Sequence, residues 1–350
     1  MAKQRVFLRC GWRYLKTIGA SRNTHTKGFH CPVNITTSMG GLIAVVNRGA
    51  NSRVTVLNYD EEVLGEFGKP SPVTPRVILD EGVIVWATCL AFDKDDLLYV
   101  ADEYTNRISI FTIEGKLVSQ WGIAGDSDGE LNGPSGMAFD GEGNLFVVDH
   151  RNHRIQKFTK DGGFLGNWGG FGSSEGKFNL PWGITLDHDG DVFVADWRND
   201  RIQKFTPSGE FLGTYGTSGN GHGEFKRPTD VAVDLDGDIY VADWMNNRVQ
   251  VIGDDGRFVN VFHGDATISE WCLESWSTEV DAVKKRFLAD DPTTEKLFRK
   301  PSSVALDNHG RLYVVDSHRM RVQIYLKEGY PSSHIMEVDL QEELPILGIS

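Results

Sequence analysis

The chain has 350 residues, with 36 Lys or Arg against 49 Asp or Glu, so its formal net charge is −13. A single hydrophobic core stops growing at about 250–300 residues, so this length predicts two domains or a repeat architecture. The acidic balance argues against general binding to nucleic acid or to anionic membranes. Cys10, Cys31, Cys89 and Cys272 form no C-x-x-C pair. The first residues also lack the apolar stretch of a secretory signal, so we expect a cytoplasmic protein without a membrane span.

Six copies of one pattern follow one another along the chain. They begin at Pro32, Trp86, Pro134, Pro181, Pro228 and Pro301. The three middle copies align without a gap, and their Asp149, Asp196 and Asp243 are 47 residues apart. The first copy is more divergent and has Asn47 at this position. A repeat of this length, with alternating apolar residues and Asp-Gly turns, is typical of a propeller blade built from four strands.

The predicted fold is therefore all-β: one six-bladed β-propeller with four-stranded antiparallel blades, spanning residues 12–325. The predicted blades are 32–68, 86–122, 134–169, 181–216, 228–264 and 301–325. The last copy has no fourth strand of its own, whereas Trp12–Pro32 is similar to Phe211–Pro228. We expect the strand at 12–19 to complete the last blade, which closes the ring and removes open sheet edges.

Two insertions and a tail interrupt this regularity. Between Asp243 and Asp316 there are 26 residues more than one period, which predicts a lid-like insertion at 265–299. A shorter insertion falls near 69–80, and a C-terminal tail occupies 326–350. Long insertions in a compact repeat are often lids or binding loops, although a neutral surface excursion or a dimer contact is an alternative.

The repeats resemble the NHL-repeat family of six-bladed β-propellers. The pattern P-x-G-h-A-h-D-x-x-G-x-h-Y-V-A-D-x-x-N-x-R-h-Q-h-F, where h is apolar, is present almost whole at Pro134–Phe158, Pro181–Phe205 and Pro228–Val251. The Asn-His-Leu triplet that names the family is absent, since the chain has Asn152-His153-Arg154. The resemblance implies the fold, but such propellers serve as enzymes, protein scaffolds and RNA binders, so it leaves the function open.

Residues that recur in every blade are expected to be structural. Each repeated Asp is followed five residues later by Arg, as in Asp196 and Arg201, and the pair is expected to tie a strand end to the next turn. By contrast, the residues directly after this Asp differ between blades. The resemblance implies that these turns share one face with the links between blades, so they are the candidate site.

We therefore predict a small-molecule enzyme of lyase or hydrolase type, with its site on this face at the central channel. His150 is the predicted general acid or base, with Glu103 or His318 as its partner. The predicted substrate-binding residues are Arg151, Arg198, Trp197, Trp244, Tyr104 and Trp271. An alternative for the two blade tryptophans, Trp197 and Trp244, is that they cover apolar surface between blades.

A metal-assisted reaction is a further possibility that the resemblance raises, because related propellers hold zinc through His residues or calcium on the axis. The predicted channel-lining positions are Asn34, Thr88, Gly136, Gly183, Asp230 and Ser303. None is His, so a three-His zinc site has no counterpart. Asp230 and Asn34 are the predicted ligands for a divalent metal, with Ca preferred over Zn because both offer oxygen. No nucleotide or organic cofactor is expected, since the glycine-rich stretches link blades.

Two other functions stay open at this stage. The same face is able to bind a protein or peptide without catalysis. RNA binding is disfavoured by the net charge. A small molecule or a peptide is thus the expected partner, with nucleic acid unlikely and no membrane association expected. The oligomeric state is not readable from the sequence.

Overall fold

The computed structural model describes residues 11–19, 28–49, 52–68, 82–272 and 293–328. Within them, six four-stranded antiparallel sheets form the blades of a ring. The first strands of neighbouring blades contact one another, so they line the axis, and the fourth strands lie outermost. The predicted all-β six-bladed propeller is confirmed.

Strand bounds follow the repeat, and we number the blades 1 to 6 in chain order. Blades 1 to 3 contain Pro32–Thr37, Ile43–Asn47, Arg53–Leu57 and Val63–Phe67; Ala87–Phe92, Leu98–Asp102, Arg107–Phe111 and Leu117–Trp121; and Pro134–Phe139, Leu145–Asp149, Arg154–Phe158 and Phe164–Gly169. Blades 4 to 6 contain Ile184–Leu186, Val192–Asp196, Arg201–Phe205 and Phe211–Tyr215; Pro228–Val233, Ile239–Asp243, Arg248–Ile252 and Phe258–Phe262; and Pro301–Leu306, Arg311–Asp316, Arg321–Glu328 and Gly11–Ile18.

Burial within each blade follows from its place between two neighbours. The second strand, such as Leu145–Asp149, is buried at every residue, whereas the fourth strand Phe164–Gly169 is partly exposed throughout. Apolar side chains interdigitate between adjacent blades, and Phe178, which lies in the link, packs with its ring 5.5 Å from that of Phe205. Each fully buried Phe contributes about 2–3 kcal/mol, so the ring is stabilised by stacking of blades.

The turn between the first two strands has a local cause. In blade 3 the Asp140 carboxylate accepts hydrogen bonds from the backbone N–H groups of Glu142 and Asn144. Gly143 adopts a φ of 85°, a left-handed conformation that costs glycine little. The same Asp and Gly recur in blades 4 and 5, which explains the Asp-rich hairpins of this acidic chain.

The repeated Asp has the structural role that the sequence predicts. In blade 4 the buried Asp196 carboxylate accepts hydrogen bonds from Arg201, Gln203 and the backbone N–H of Asn179, at 2.9, 3.1 and 2.8 Å. Asn179 belongs to the link from blade 3, so one carboxylate joins two blades. Blades 3, 5 and 6 repeat the Asp–Arg ion pair, so these residues have the same structural role in each of these blades.

Ring closure by the N-terminal strand is confirmed. Gly11–Ile18 pairs antiparallel with Arg321–Glu328 and forms the outer strand of blade 6. Trp12 donates a hydrogen bond to the Tyr240 hydroxyl of blade 5 at 3.2 Å. Lys327 places its ammonium 2.6–2.9 Å from three blade 5 carboxylates, those of Asp234, Asp236 and Asp238.

The insertions are described only in part. Residues 273–292 of the predicted lid lie outside the described residues, as do the whole shorter insertion, 69–80, and residues 329–350 of the tail. The described end of the long insertion includes a short helix, Thr293–Lys296. Its first part lies against the link between blades 6 and 1, where Ser269 donates a hydrogen bond to the Gly19 carbonyl. The lid function stays a prediction.

None of the helices in the described part of the chain combines the length and the apolar character that crossing a membrane requires.

Candidate functional site

The turns after the repeated Asp have the same conformation in blades 3 to 6. Each is a short 3₁₀ turn, such as His150–Asn152, followed by a residue in the left-handed conformation, such as His153 with a φ of 56°. In three of these blades the side chain of that residue accepts a hydrogen bond from the next link: His153 from Leu180, Asp200 from Arg227 and Asn247 from Lys300. Turns and links therefore lie together at one end of the ring, which we call the open face.

His150 of blade 3 is held in one tautomer. Its Nδ1 lies 2.9 Å from the Pro181 carbonyl oxygen, which only accepts, so Nδ1 carries the hydrogen and Nε2 keeps its lone pair. Burial lowers the pKa of His150 to about 4, with smaller contributions from Arg151, His153 and Arg198. The imidazole is therefore neutral at pH 7.

An aromatic chain extends from His150 into blade 4. The His150 ring meets Trp182 edge to face, with centroids 4.8 Å apart, and Trp182 lies 6.5 Å from Trp197. The guanidinium groups of Arg198 and Arg227 lie 5.5 and 5.0 Å from the Trp197 ring centre. The Trp197 ring is therefore in contact with two cationic side chains.

Glu103 is an ion-paired residue of the open face. Its buried carboxylate pairs with Arg48 of blade 1 at 3.0 Å and with Arg151 of blade 3 at 3.1 Å. Glu103 thus pairs with Arg151, a predicted substrate-binding residue, and its carboxylate is not the direct partner of His150 that the sequence predicted. Beside it, Tyr104 is half exposed and packs against Trp86 with ring centroids 5.4 Å apart.

Three predicted site residues lie apart from His150. Trp244 in blade 5 stacks under the Lys300 ammonium at 4.5 Å. His318 lies in blade 6, which is opposite blade 3 in the ring of six blades, so the structure does not bring His318 close to His150. Trp271 does not lie on the open face, because it is 3% exposed and packs against Phe29 in the core between blades 6 and 1.

The two predicted metal ligands belong to a hydrogen-bond chain at the axis. Ser303 donates to the Asp230 carboxylate at 2.6 Å, and Asn34 donates to Ser303 at 3.1 Å. Asn34 accepts from the Leu90 N–H, and burial raises the pKa of Asp230 to about 7. Because their oxygen atoms face protein donors, these residues do not offer a preformed ligand set. Among the described residues, no group of three or more His, Cys, Asp or Glu is placed to hold a metal.

Several residues of the open face are absent from the sequence prediction. They are Arg48, Trp86, Trp182 and Lys300. Arg48 was accessible to the same rule, because it follows Asn47 as His150 follows Asp149. The others lie at the starts of the repeats, since Trp86 begins one copy, Trp182 follows Pro181 and Lys300 precedes Pro301, whereas the prediction considered the turns after the repeated Asp.

Comparison with solved structures shows the same fold at low sequence identity. A streptogramin B lyase superposes with a TM-score of 0.56 and 16% identity, covering 91% of this chain and 98% of that one. A catalytically inactive variant of virginiamycin B lyase from Staphylococcus aureus, solved with quinupristin, gives 0.53 and 16%, covering 92% and 88%. The WD40 propeller domain of Doa1 gives 0.53 and 12%, covering 86% and 80%.

Sequence comparison identifies the repeats themselves. No curated protein matches the chain significantly in sequence. The NHL repeat family matches four segments, residues 131–158, 178–205, 225–252 and 298–325. Each segment begins in the link before a blade and ends in the third strand of that blade, for blades 3, 4, 5 and 6 in turn. With these four repeats inside a closed ring of six four-stranded blades, the chain is an NHL-repeat six-bladed β-propeller.

Proposed function

We propose that the chain is an enzyme that acts on a small anionic molecule at the open face, by proton-transfer chemistry of lyase or hydrolase type. The observation that carries this proposal is His150, a neutral imidazole fixed by the Pro181 carbonyl and set among cationic side chains. A general base needs a free lone pair at the working pH, and Nε2 provides one.

The surroundings of His150 suit the charge changes of such a reaction. Burial is the main cause of the low pKa of His150, and Arg151 and Arg198 lower it further while the face is empty of substrate. An anionic substrate would neutralise this field and raise the proton affinity of Nε2 when it is needed. The same guanidinium groups would then stabilise negative charge that develops on the substrate.

Related folds support a lyase but do not decide it. Two similar structures are lyases by name, streptogramin B lyase and virginiamycin B lyase, and at 16% identity they establish only that this fold is compatible with such chemistry. Metal assistance by Asp230 and Asn34 stays a prediction, and no step proposed for His150 uses it.

The test is a turnover screen that needs no prior substrate. The protein is incubated with a library of carboxylate- and phosphate-bearing metabolites, and mass spectrometry follows elimination and hydrolysis products. We expect at least one compound to be consumed by the wild type, and His150→Gln to slow its turnover by about 100-fold, the usual size of a lost general base. Lys300→Gln, which removes a cation from the same face, is the matched control and should retain turnover.

Two results would contradict the enzyme proposal. One is equal turnover by the wild type and His150→Gln. The other is a wild type that consumes no compound of the library, which would favour the second candidate, a protein- or peptide-binding propeller. That candidate is supported by the exposed Trp86, Tyr104 and Met245 on the open face, each 37–40% accessible. A chain solved in a nidogen/laminin complex is similar in structure, with 16% identity and a TM-score of 0.51 over 73% of this chain and 93% of that one.

A further inference from the structure

The ion pairs of Glu103 leave a surplus of positive charge at the junction of blades 1, 2 and 3. Glu103 bonds Nη2 of both Arg48 and Arg151, so two guanidinium groups share one carboxylate. Each guanidinium has five N–H donors, and among the described residues neither pairs with a second carboxylate. The Glu103 side chain is 10% exposed, whereas those of Arg48 and Arg151 are 29% and 48% exposed. The cluster thus presents donors and net charge to solvent.

An aromatic ring lies directly beside this charge. The Arg48 guanidinium is 5.4 Å from the Trp86 ring centre, and Trp86 is 40% exposed. The buried Asp102 carboxylate fixes the backbone on both sides, since it accepts hydrogen bonds from the N–H groups of Trp86 and Tyr104 at 2.9 and 3.0 Å. Cation and aromatic surface are therefore held together by the same structural Asp that recurs in every later blade.

Arg151 is positioned with similar precision. It packs over Gly133, where an added Cβ would come within 3.3 Å of the Arg151 side chain. The Gly133 N–H donates a hydrogen bond to the Asn106 side chain of blade 2 at 2.7 Å, which holds the backbone beneath the Arg151 guanidinium in place. Besides burial, the Arg151 charge lowers the pKa of His150, so Arg151 is near enough to act on the proposed base, and an anion that it binds would do so too.

We propose that Arg48, Glu103 and Arg151 form an oxyanion subsite which, together with Trp86, binds a planar ring that carries a phosphate or carboxylate group. Glu103 is the positioning residue, because it holds two guanidinium groups from different blades around one point. Arginine suits both anions through paired N–H donors, and an exposed Trp ring offers a stacking surface to a planar group. This inference deepens the proposed function by naming the class of molecule that the open face takes.

The test is isothermal titration of the full chain with five probes: phenyl phosphate, benzoate, inorganic phosphate, acetate and phenol. We expect phenyl phosphate, benzoate or both to bind, and the pair identifies which oxyanion is preferred. Arg48→Gln and Arg151→Gln should each weaken that binding at least tenfold, whereas the control Lys300→Gln should change it less than twofold. Trp86→Leu should remove the advantage of phenyl phosphate over inorganic phosphate or of benzoate over acetate.

Other outcomes would overturn the proposal. Equal losses in Arg48→Gln, Arg151→Gln and Lys300→Gln would mean a diffuse field of the whole face, and phenol binding as tightly as the anions would mean an apolar site. Absence of binding by the wild type at millimolar concentration would also overturn it. Thermal unfolding of each variant confirms that it is folded. The probes are not turned over, so failure of the subsite appears as lost binding heat, whereas failure of the proposed catalysis appears as equal turnover by the wild type and His150→Gln; the two failures are therefore distinguishable.

Discussion

Removing the strand Gly11–Ile18 is expected to abolish cooperative folding of the ring. This strand pairs along its length with Arg321–Glu328 and buries Ile18 in the core. Its loss leaves blade 6 with an open edge and removes the Trp12 contact to Tyr240 of blade 5. Several ladder hydrogen bonds at about 1 kcal/mol each, with about 2 kcal/mol for Ile18, approach the whole stability of a typical domain. Urea unfolding followed by circular dichroism measures the effect, and light scattering detects edge-to-edge aggregation.

The matched control for this deletion is Arg13→Ala on the same strand. Arg13 forms an exposed ion pair with Glu328, and such pairs contribute less than about 1 kcal/mol. A deletion variant that stays monomeric and unfolds with the wild-type midpoint would show that the ring does not depend on this strand.

Asp196→Ala should lose about 3–5 kcal/mol of unfolding free energy, the second large effect. The substitution removes the carboxylate that pairs with Arg201 and accepts from Gln203. Among the described residues, Arg201 then has only the neutral carbonyl oxygens of Ser174 and Lys177 as acceptors, and its charge is uncompensated. Breaking a buried ion pair on one side costs this much because the remaining charge stays desolvated. Chemical denaturation monitored by tryptophan fluorescence gives the free energy.

Asp189→Ala in the same blade provides the comparison. Asp189 lies in the hairpin turn with its side chain 72% exposed, so its removal should change stability by less than about 0.5 kcal/mol. Equal effects of the two substitutions would contradict the structural role of the repeated Asp and would reopen these residues as candidates for the functional site.

Repetition is what made the fold predictable from the sequence. The spacing of Asp149, Asp196 and Asp243 predicts the length of a blade. The similarity of Trp12–Pro32 to the end of a blade predicts that the N-terminal strand closes the ring. Both are confirmed, because each blade buries its apolar faces against its neighbours and the pairing of Gly11–Ile18 with Arg321–Glu328 removes the open edge of blade 6. Trp271 had no repeated counterpart, so nothing in the sequence placed it in the core between blades 6 and 1.

The candidate site was only partly predictable, because its contacts join different blades. Glu103 was assigned as a partner of His150, yet the structure pairs it with Arg48 and Arg151 from the blades on either side. Side-chain direction on a turn decides such pairing, and the spacing of repeats does not contain it. The separation of His318 from His150 has a simpler cause. In a ring of six blades arranged in chain order, blades 3 and 6 are opposite each other.

The net charge of −13 does not describe the open face. Much of the acidity lies in the hairpin turns and strand ends, where carboxylates such as those of Asp140 and Asp196 bind backbone N–H groups. The open face instead collects Arg48, Arg151 and Arg198, with Glu103 already neutralised. Composition therefore argued against polyanions in general but gave no information about an anionic ligand at this surface.

Titration of His150 tests the central claim most directly. Proton NMR of the imidazole, assigned by comparison with His150→Gln, is recorded across the acidic and neutral pH range. We expect a pKa of about 4, because burial and the neighbouring guanidinium groups disfavour the charged ring, so Nε2 is unprotonated at pH 7. Activity that depends on this base should rise as the pH passes upwards through the same value in the free enzyme. A pKa of about 6.5 or above, the ordinary value of an exposed His, would contradict the account.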